Sequence, residues 1–453
     1  MATLSGMRPF LPLLLLALPL AAEPAKPPAA PPAAPERSEV EVNDPKLKAA
    51  IDDAIQRGVA WLKARQLPSG AWPSLEKLPP YPGSTGPTHD YQPELSALAL
   101  LALLKCGVPP ADSCIVKGLA WLKTHSLATT GYGPAVGLMV IEAKYATKEA
   151  VAKPGQKAGK PKPITPSPED LVWAGQLANQ LLAMQAQIGG WRYAVIPTDM
   201  AGNKPGTSDV SCTQYALMGL KTAKRLGVPV KPEAFAKAAD FLLGQQEAEG
   251  PPWTRITRRR EEESNDNEAG GYADKARGWP YMKGAADASE ARASGGMTCA
   301  GLVGILVCRS EILETKGFPD RAKRLPKVEQ AMWDGLAWLD QNWSTADNPG
   351  HGNSELGYYL YGLERVGVMT DLRMIGPKHD WYIQGAQSWI ERLNTNPDDL
   401  AATLGGKPPT KDMGFWGFSG CRAKPETQDT PYALLFLRKA SIRLGYSVED
   451  DAK

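Results

Sequence analysis

The stretch from Arg57 to Trp72, RGVAWLKARQLPSGAW, constrains this chain most, because the sequence keeps returning to versions of it. Ile55, Val59, Trp61 and Leu62 fall at helical spacing, and Pro68 and Gly70 stop the helix just before Trp72. The unit is one helix followed by a tethering turn. It recurs as KGLAWLKTHSLATTGYG from Lys117, KAADFLLGQQEAEGPPW from Lys237 and DGLAWLDQNW from Asp334. Trp61 and Trp121 stand sixty residues apart and Phe241 twice sixty beyond, with the weaker copy LLAMQAQIGGW, Leu181 to Trp191, filling the skipped step. Self-similarity at such a period marks a repeat fold whose units bury their apolar faces on one another.

Taken in order, the pattern predicts six helical hairpins, an all-α fold of about twelve helices. Outer helices are expected near 46–66, 112–125, 168–187, 232–247, 326–343 and 380–394. Inner helices are expected near 92–106, 133–147, 209–226, 295–314, 353–367 and 428–444. The inner set is smaller and more apolar, as in LSALALLALL, TCAGLVGIL and YALLFL, which is what burial on both sides requires. Two insertions interrupt it. Lys148 to Pro168 reads as a Lys/Pro/Gly-rich surface loop, and Gly250 to Ala293 carries the charge run Arg258 to Glu263 and then Tyr272, Trp279 and Tyr281, a candidate lid.

The pattern basic-Gly-x-x-aromatic-Leu-x-x-x-Gln-x-x-x-Gly-x-Trp resembles the Gln-Trp repeat of squalene and oxidosqualene cyclases, shared more loosely by protein prenyltransferase β-subunits. Arg57, Gly58, Trp61, Leu62, Gln66, Gly70 and Trp72 fill every position of it. Lys237, Phe241, Leu242, Gln246, Gly250 and Trp253 match with Ala238 for the first Gly and one extra residue before the Trp. Ser126 and Trp343 stand where the second and fifth copies would have Gln. The resemblance spans about residues 50 to 445 and implies an α/α toroid, a closed ring of inner and outer helices. It also implies an apolar, aromatic-lined central cavity suited to an isoprenoid or other lipid.

Residues 1–22 read as a signal peptide: Arg8 precedes the apolar run Phe10 to Ala22, too short to span a bilayer at about 20 residues. Residues 23–43 read as a Pro/Ala-rich linker, and 44–453 as the toroid. The expected location is the cell envelope or outside. Export would permit disulfides among the six cysteines, Cys106, Cys114, Cys212, Cys299, Cys308 and Cys421; Cys106 and Cys114 flank one short turn, whereas Cys212, Cys299 and Cys308 read as buried apolar side chains. With a net charge of +2 and no basic-aromatic stripe, a nucleic-acid partner is not expected. No cofactor is expected either, since no CxxC pair or metal-ligand spacing occurs.

Aligning the inner helices on Ala97, Ala216 and Ala433 places Asp90, Asp209 and Glu426 seven residues earlier, at one end of the ring. Acids at helix starts commonly cap the helix. Where squalene-hopene-type cyclases carry Asp-x-Asp-Asp-Thr, with the central Asp as the acid that protonates an alkene, this chain has Glu426-Thr427-Gln428-Asp429-Thr430. Gln428 cannot donate a proton in that way. The candidate catalytic residues are therefore Asp429, Asp209 and Glu426, and the candidate substrate-binding residues are Tyr215, Tyr358, Tyr359, Tyr432 and Trp416, aromatics at or beside inner-helix starts.

The main reading is an exported ring with a degenerate acid motif that binds an isoprenoid or other lipid, with a protein partner covering the ring mouth also compatible. One alternative is an active terpenoid cyclase or prenyl-transfer enzyme using Asp429. Another is an (α/α)6 glycan-active enzyme using Asp90, Asp209 and Glu426 as its acid/base set.

Overall fold

Helix starts are set by local chemistry. Asp44, Asp112, Ser167, Asp209, Ser294 and Asp380 each accept a backbone N–H of the helix that follows, and Pro45, Pro168 and Pro232 take early positions where no N–H is needed. The computed structural model describes residues 42–74, 90–127, 131–146, 164–193, 208–255, 273–418 and 425–444. The expected signal peptide, all but the end of the linker, Cys421, Tyr272 and the charge run Arg258 to Glu263 lie outside the described residues.

Six helices form an inner ring: α2 (Gln92–Lys105), α4 (Tyr132–Tyr145), α6 (Val210–Arg225), α8 (Gly295–Glu314), α10 (Leu356–Thr370) and α13 (Pro425–Leu437). Each packs on the next, and α13 returns to α2, so the ring closes. Outside it lie α1 (Pro45–Arg65), α3 (Ser113–Lys123), α5 (Pro168–Met184), α7 (Pro232–Gln245), α9 (Arg321–Gln341) and α11 (Trp381–Glu391). The chain is an α/α toroid. Inner helices are buried nearly all round: Leu95 through Leu104 of α2 are all buried, whereas α3 buries one stripe, Cys114, Ile115, Gly118, Leu119 and Leu122. A short helix not expected from the sequence, α12 (Pro397–Thr403), brings the Thr403 hydroxyl to the Trp61 indole N–H at 2.9 Å.

The repeats share one wiring scheme. The indole N–H of Trp72 donates to Leu62 O at 2.7 Å, and that of Trp191 to Leu181 O at 2.6 Å, so each tether is tied to its own outer helix. Their backbone N–H groups donate to Ser96 and Thr213 on the inner helices, both at 3.0 Å. Gln66 and Gln185 donate to the tether carbonyls of Gly70 and Gly189 and also to Cys114 O and Ala234 O of the following outer helices. The repeat residues therefore staple each hairpin to the next.

In the fourth repeat this wiring corrects the expected tether. Gln246 donates to Arg277 O and Ala331 O, and it is Trp279, fully buried, that donates to Leu242 O at 2.9 Å and to the Thr298 hydroxyl. Trp253 is only half-buried and donates to Asp340. The reason is an excursion: β1 (Pro252–Thr254) pairs antiparallel with β2 (Ala273–Lys275), Trp253 opposite Asp274, and the Gly-Trp close comes only after the chain returns. The described part of this insertion packs on α9, where Arg277 pairs with Asp334 and the Arg255 guanidinium lies 4.3 Å from the Trp333 ring centroid. Further along the same insertion the chain reaches the inner ring, where the Tyr281 carbonyl accepts from Val210 N at the start of α6 at 3.1 Å. Cys106 and Cys114 are free thiols, so the turn between them closes without a disulfide; Cys212, Cys299 and Cys308 are buried as expected.

Candidate functional site

The mouth acids belong to three repeats, Asp90 before α2, Asp209 before α6, and Glu426 and Asp429 together on α13. Asp90 accepts from Gln92 N at 3.0 Å. Asp209, wholly buried, accepts from Cys212 N at 2.7 Å, while its own N–H donates to Trp191 O at 2.9 Å. Burial pushes its carboxyl up to about 6, with the Cys212 N–H, the Tyr281 hydroxyl and Arg192 pulling the other way. Asp429, also wholly buried, accepts from Phe418 N at 2.8 Å, just past the sixth tether. Glu426 lies 3.8 Å from the Arg65 guanidinium at the end of α1. Asp209 and Asp429 thus brace their own tethers, on α6 and α13, which stand opposite each other in the ring order. Of the three candidate acids, Glu426 and Asp429 sit three residues apart on α13 and Asp209 starts α6, each on its own partner.

The tyrosines converge instead. Tyr132 and Tyr215 have ring centroids 4.3 Å apart, Tyr361 and Tyr432 5.3 Å, and Tyr358 meets Tyr432 edge-on at 6.3 Å. The Tyr358 hydroxyl donates to Gln214 Oε1 at 2.8 Å and bonds Ser211 Oγ at 3.0 Å; Ser211 also bonds the Tyr132 hydroxyl. Gln428, at the place of the cyclase acid, donates to the Tyr432 hydroxyl at 3.3 Å. The lumen is filled by this aromatic and hydroxyl network. Tyr359 and Trp416 are placed elsewhere. One residue on from Tyr358, Tyr359 is turned by about 100° of helix, and its hydroxyl donates to Ser344 O. Trp416 is the sixth tether, its indole N–H on Trp389 O at 2.7 Å and its backbone N–H on Thr430.

At the centre sits a residue that the repeat pattern does not point to. Arg365 is 1% exposed, and its guanidinium lies over two rings, 3.8 Å from the Tyr361 centroid and 4.5 Å from that of Tyr215, whose hydroxyl accepts from Nη2 at 2.9 Å. Burial opposes its charge, but Tyr215 and Tyr361 hold its pKa above the ordinary arginine value. Burying an ion costs several kcal/mol even after relaxation. Two desolvated cation–π contacts at about 2 kcal/mol each offset much of that. They leave Arg365 Nε without a partner. A charged pair, Glu364-Arg365, inside an otherwise apolar inner helix was the sequence signal for this site.

Arg365 lines a cavity of about 20 Å³ together with Leu101, Lys105, Met139, Glu142, Met218, Thr222 and Leu435, and Ala440 to Ile442 also line it. That volume is about the room of one water. The aromatic-lined centre expected from the resemblance is present, but its side chains occupy most of it.

No family model and no curated protein matches the sequence. Among solved structures, the chain is similar to a variant of the type II terpene cyclase MstE from Scytonema in complex with merosterolic acid A, at 13% identity and a TM-score of 0.42, covering 87% of this chain and 98% of that one. A second variant of the same cyclase, in complex with geranylgeranyl dihydroxybenzoate, matches with the same figures. The unsaturated glucuronyl hydrolase from Bacillus sp. GL1 matches at 12% identity and a TM-score of 0.47, covering 86% and 96%. None of these likenesses assigns an activity, and the toroid rests on the chain's own helix contacts.

Proposed function

We propose that this chain is an exported, non-catalytic ring that takes a hydrophobic small molecule, an isoprenoid or other lipid, in its lumen. The observation that carries the reading is the wall of the central cavity, where Leu101, Met139, Met218, Met369 and Leu435 surround the buried Arg365, with Lys105 and Glu142 also on the lining. Methionine side chains re-pack around irregular apolar ligands at little cost. A bound lipid needs roughly 300 Å³ or more, so occupation requires the Ala440 to Ile442 segment to move aside. Catalysis is disfavoured because Gln428 stands at the proton donor's place and Asp209, Glu426 and Asp429 are engaged on different elements. A glycan-active reading would need paired carboxylates facing an open cleft, and Asp209 is wholly buried.

Native mass spectrometry of the purified protein, with product analysis after incubation with squalene and geranylgeranyl diphosphate, tests this. We expect co-purified lipid and no product. Cyclisation or prenyl transfer that disappears in Asp429→Asn would overturn the binding reading, as would a chain that neither carries nor takes up any lipid.

A further inference from the structure

Two buried polar atoms on different inner helices lack a hydrogen-bond partner: Arg365 Nε on α10 and Thr222 Oγ1 on α6. Both residues line the same central cavity. Among the described residues no carboxylate pairs with the Arg365 guanidinium, whose contacts are the two tyrosine faces and the Tyr215 hydroxyl. The other ionisable groups around the cavity have charged or polar neighbours, and Glu142, which also lines it, keeps a buried Oε1 that makes no hydrogen bond. The Glu142 carboxylate is 3.1 Å from Arg225 and 4.0 Å from Lys105, and Glu364 accepts from the Ser441 N–H at 3.0 Å and hydroxyl at 2.6 Å. A buried cation without an ion-pair partner among the described residues and a hydroxyl without a hydrogen-bond partner, both facing one small space, define a receptor for an anionic oxygen.

We propose that the lumen ligand is an anionic amphiphile whose carboxylate or phosphate accepts from Arg365 Nε and Thr222 Oγ1. This rests on the lipid-binding reading above and names the class of lipid. The head takes the Arg365 and Thr222 end of the cavity and the chain lies along Met139, Met218 and Met369, which must re-pack to widen the water-sized space. It leaves past Ala440 to Ile442, the segment that Glu364 holds through Ser441.

The test is binding to the delipidated full-length protein of palmitate, farnesyl phosphate and hexadecanol, with acetate and inorganic phosphate as chain-free controls. Palmitate or farnesyl phosphate should bind about tenfold or more tightly than hexadecanol, the effect of one charge-assisted hydrogen bond; which of the two wins identifies the head. Arg365→Met should abolish that preference while leaving hexadecanol binding in place. Thr222→Val, nearly isosteric and buried, should reduce it several-fold, and decides the matter if the Arg365 variant fails to fold. Equal binding of acid and alcohol, or an acid preference that both variants retain, would overturn the proposal and leave the lipid reading standing. Binding of acetate or phosphate without any chained ligand would overturn both, as would binding of none.

Discussion

The indole of Trp416 occupies the space beside Gly58, where an added Cβ would lie 2.8 Å from Trp416 Cζ3 and 3.0 Å from Leu434 Cδ2. The sixth tether thus packs on the first outer helix, and that contact closes the ring. Trp72 meets Gly118, and Trp279 meets Gly335, in the same way. The first Gly of the repeat is there because the preceding tether's indole needs its place. Gly58→Ala should therefore destabilise the protein by about 1–3 kcal/mol through overpacking. Gly175→Ala, in α5 with nothing within 4 Å of the added atom, should be neutral or stabilise by about 0.5–1 kcal/mol. Denaturant titration of both checks this; equal effects would mean that the close approach at Gly58 does not govern.

Trp279 and Trp253 should separate cleanly. Trp279→Ala empties a fully buried site on α7 and α9 and should cost about 3–5 kcal/mol. Trp253→Ala trims a half-buried side chain on the hairpin and should cost about 1 kcal/mol. Thermal melts of the two variants decide which is the tether, and a reversed order would return the role to Trp253.

Asp209 makes stability depend on pH in a known direction. Its folded pKa, about 6, lies above the unfolded carboxylate value, so the ionised form is disfavoured in the folded chain. That penalty is full above pH 6 and fades as pH falls through 6 towards about 3.9. Asp209→Asn keeps an acceptor for Cys212 N and removes the titration. At pH 7 it should match or exceed the parent by on the order of 3 kcal/mol at most, and the gain should vanish near pH 4. Asp170 runs the opposite way. Burial raises its pKa, but hydrogen bonds from Lys123, Lys144 and Tyr145 win and hold it at about 2, so its contribution is present above about 3.9 and lost as pH falls through 2. Melts of Asp209→Asn and Asp170→Asn from pH 2 to 7 should diverge with these signs; a pH-independent Asp209→Asn difference would contradict the buried-acid account.

Export is tested at the chain's start. Mature protein recovered from the envelope or medium should begin near Glu23, after cleavage at Ala22. N-terminal sequencing that finds Met1 on a membrane-bound chain would refute the expectation.

The sequence by itself determined the helices and their alternation, because Trp61, Gln66, Gly70 and Trp72 are one mechanical unit written contiguously. Helix, turn and tether depend on neighbours within sixteen positions, so spacing reveals them wherever it is kept. It failed at Trp253, where the β1–β2 excursion separates Gln246 from its Trp279, a separation that only the hydrogen bonds donated by these two side chains reveal. The acids at 90, 209 and 426 were legible as a register and Asp429 as a match to the cyclase motif, but whether they converge depends on which way each helix start faces, and tertiary packing turned Asp209 and Asp429 to their tethers. Arg365 was the reverse case. The Glu364-Arg365 pair in an apolar helix does not show its role until ring closure brings Tyr215 and Tyr361, 146 positions apart in the sequence, onto the two faces of Arg365 and leaves Thr222 beside the same cavity. Local spacing fixes secondary structure and repeat register, whereas the charge balance of a buried site is set by groups distant in the chain, and only the closed ring assembles them.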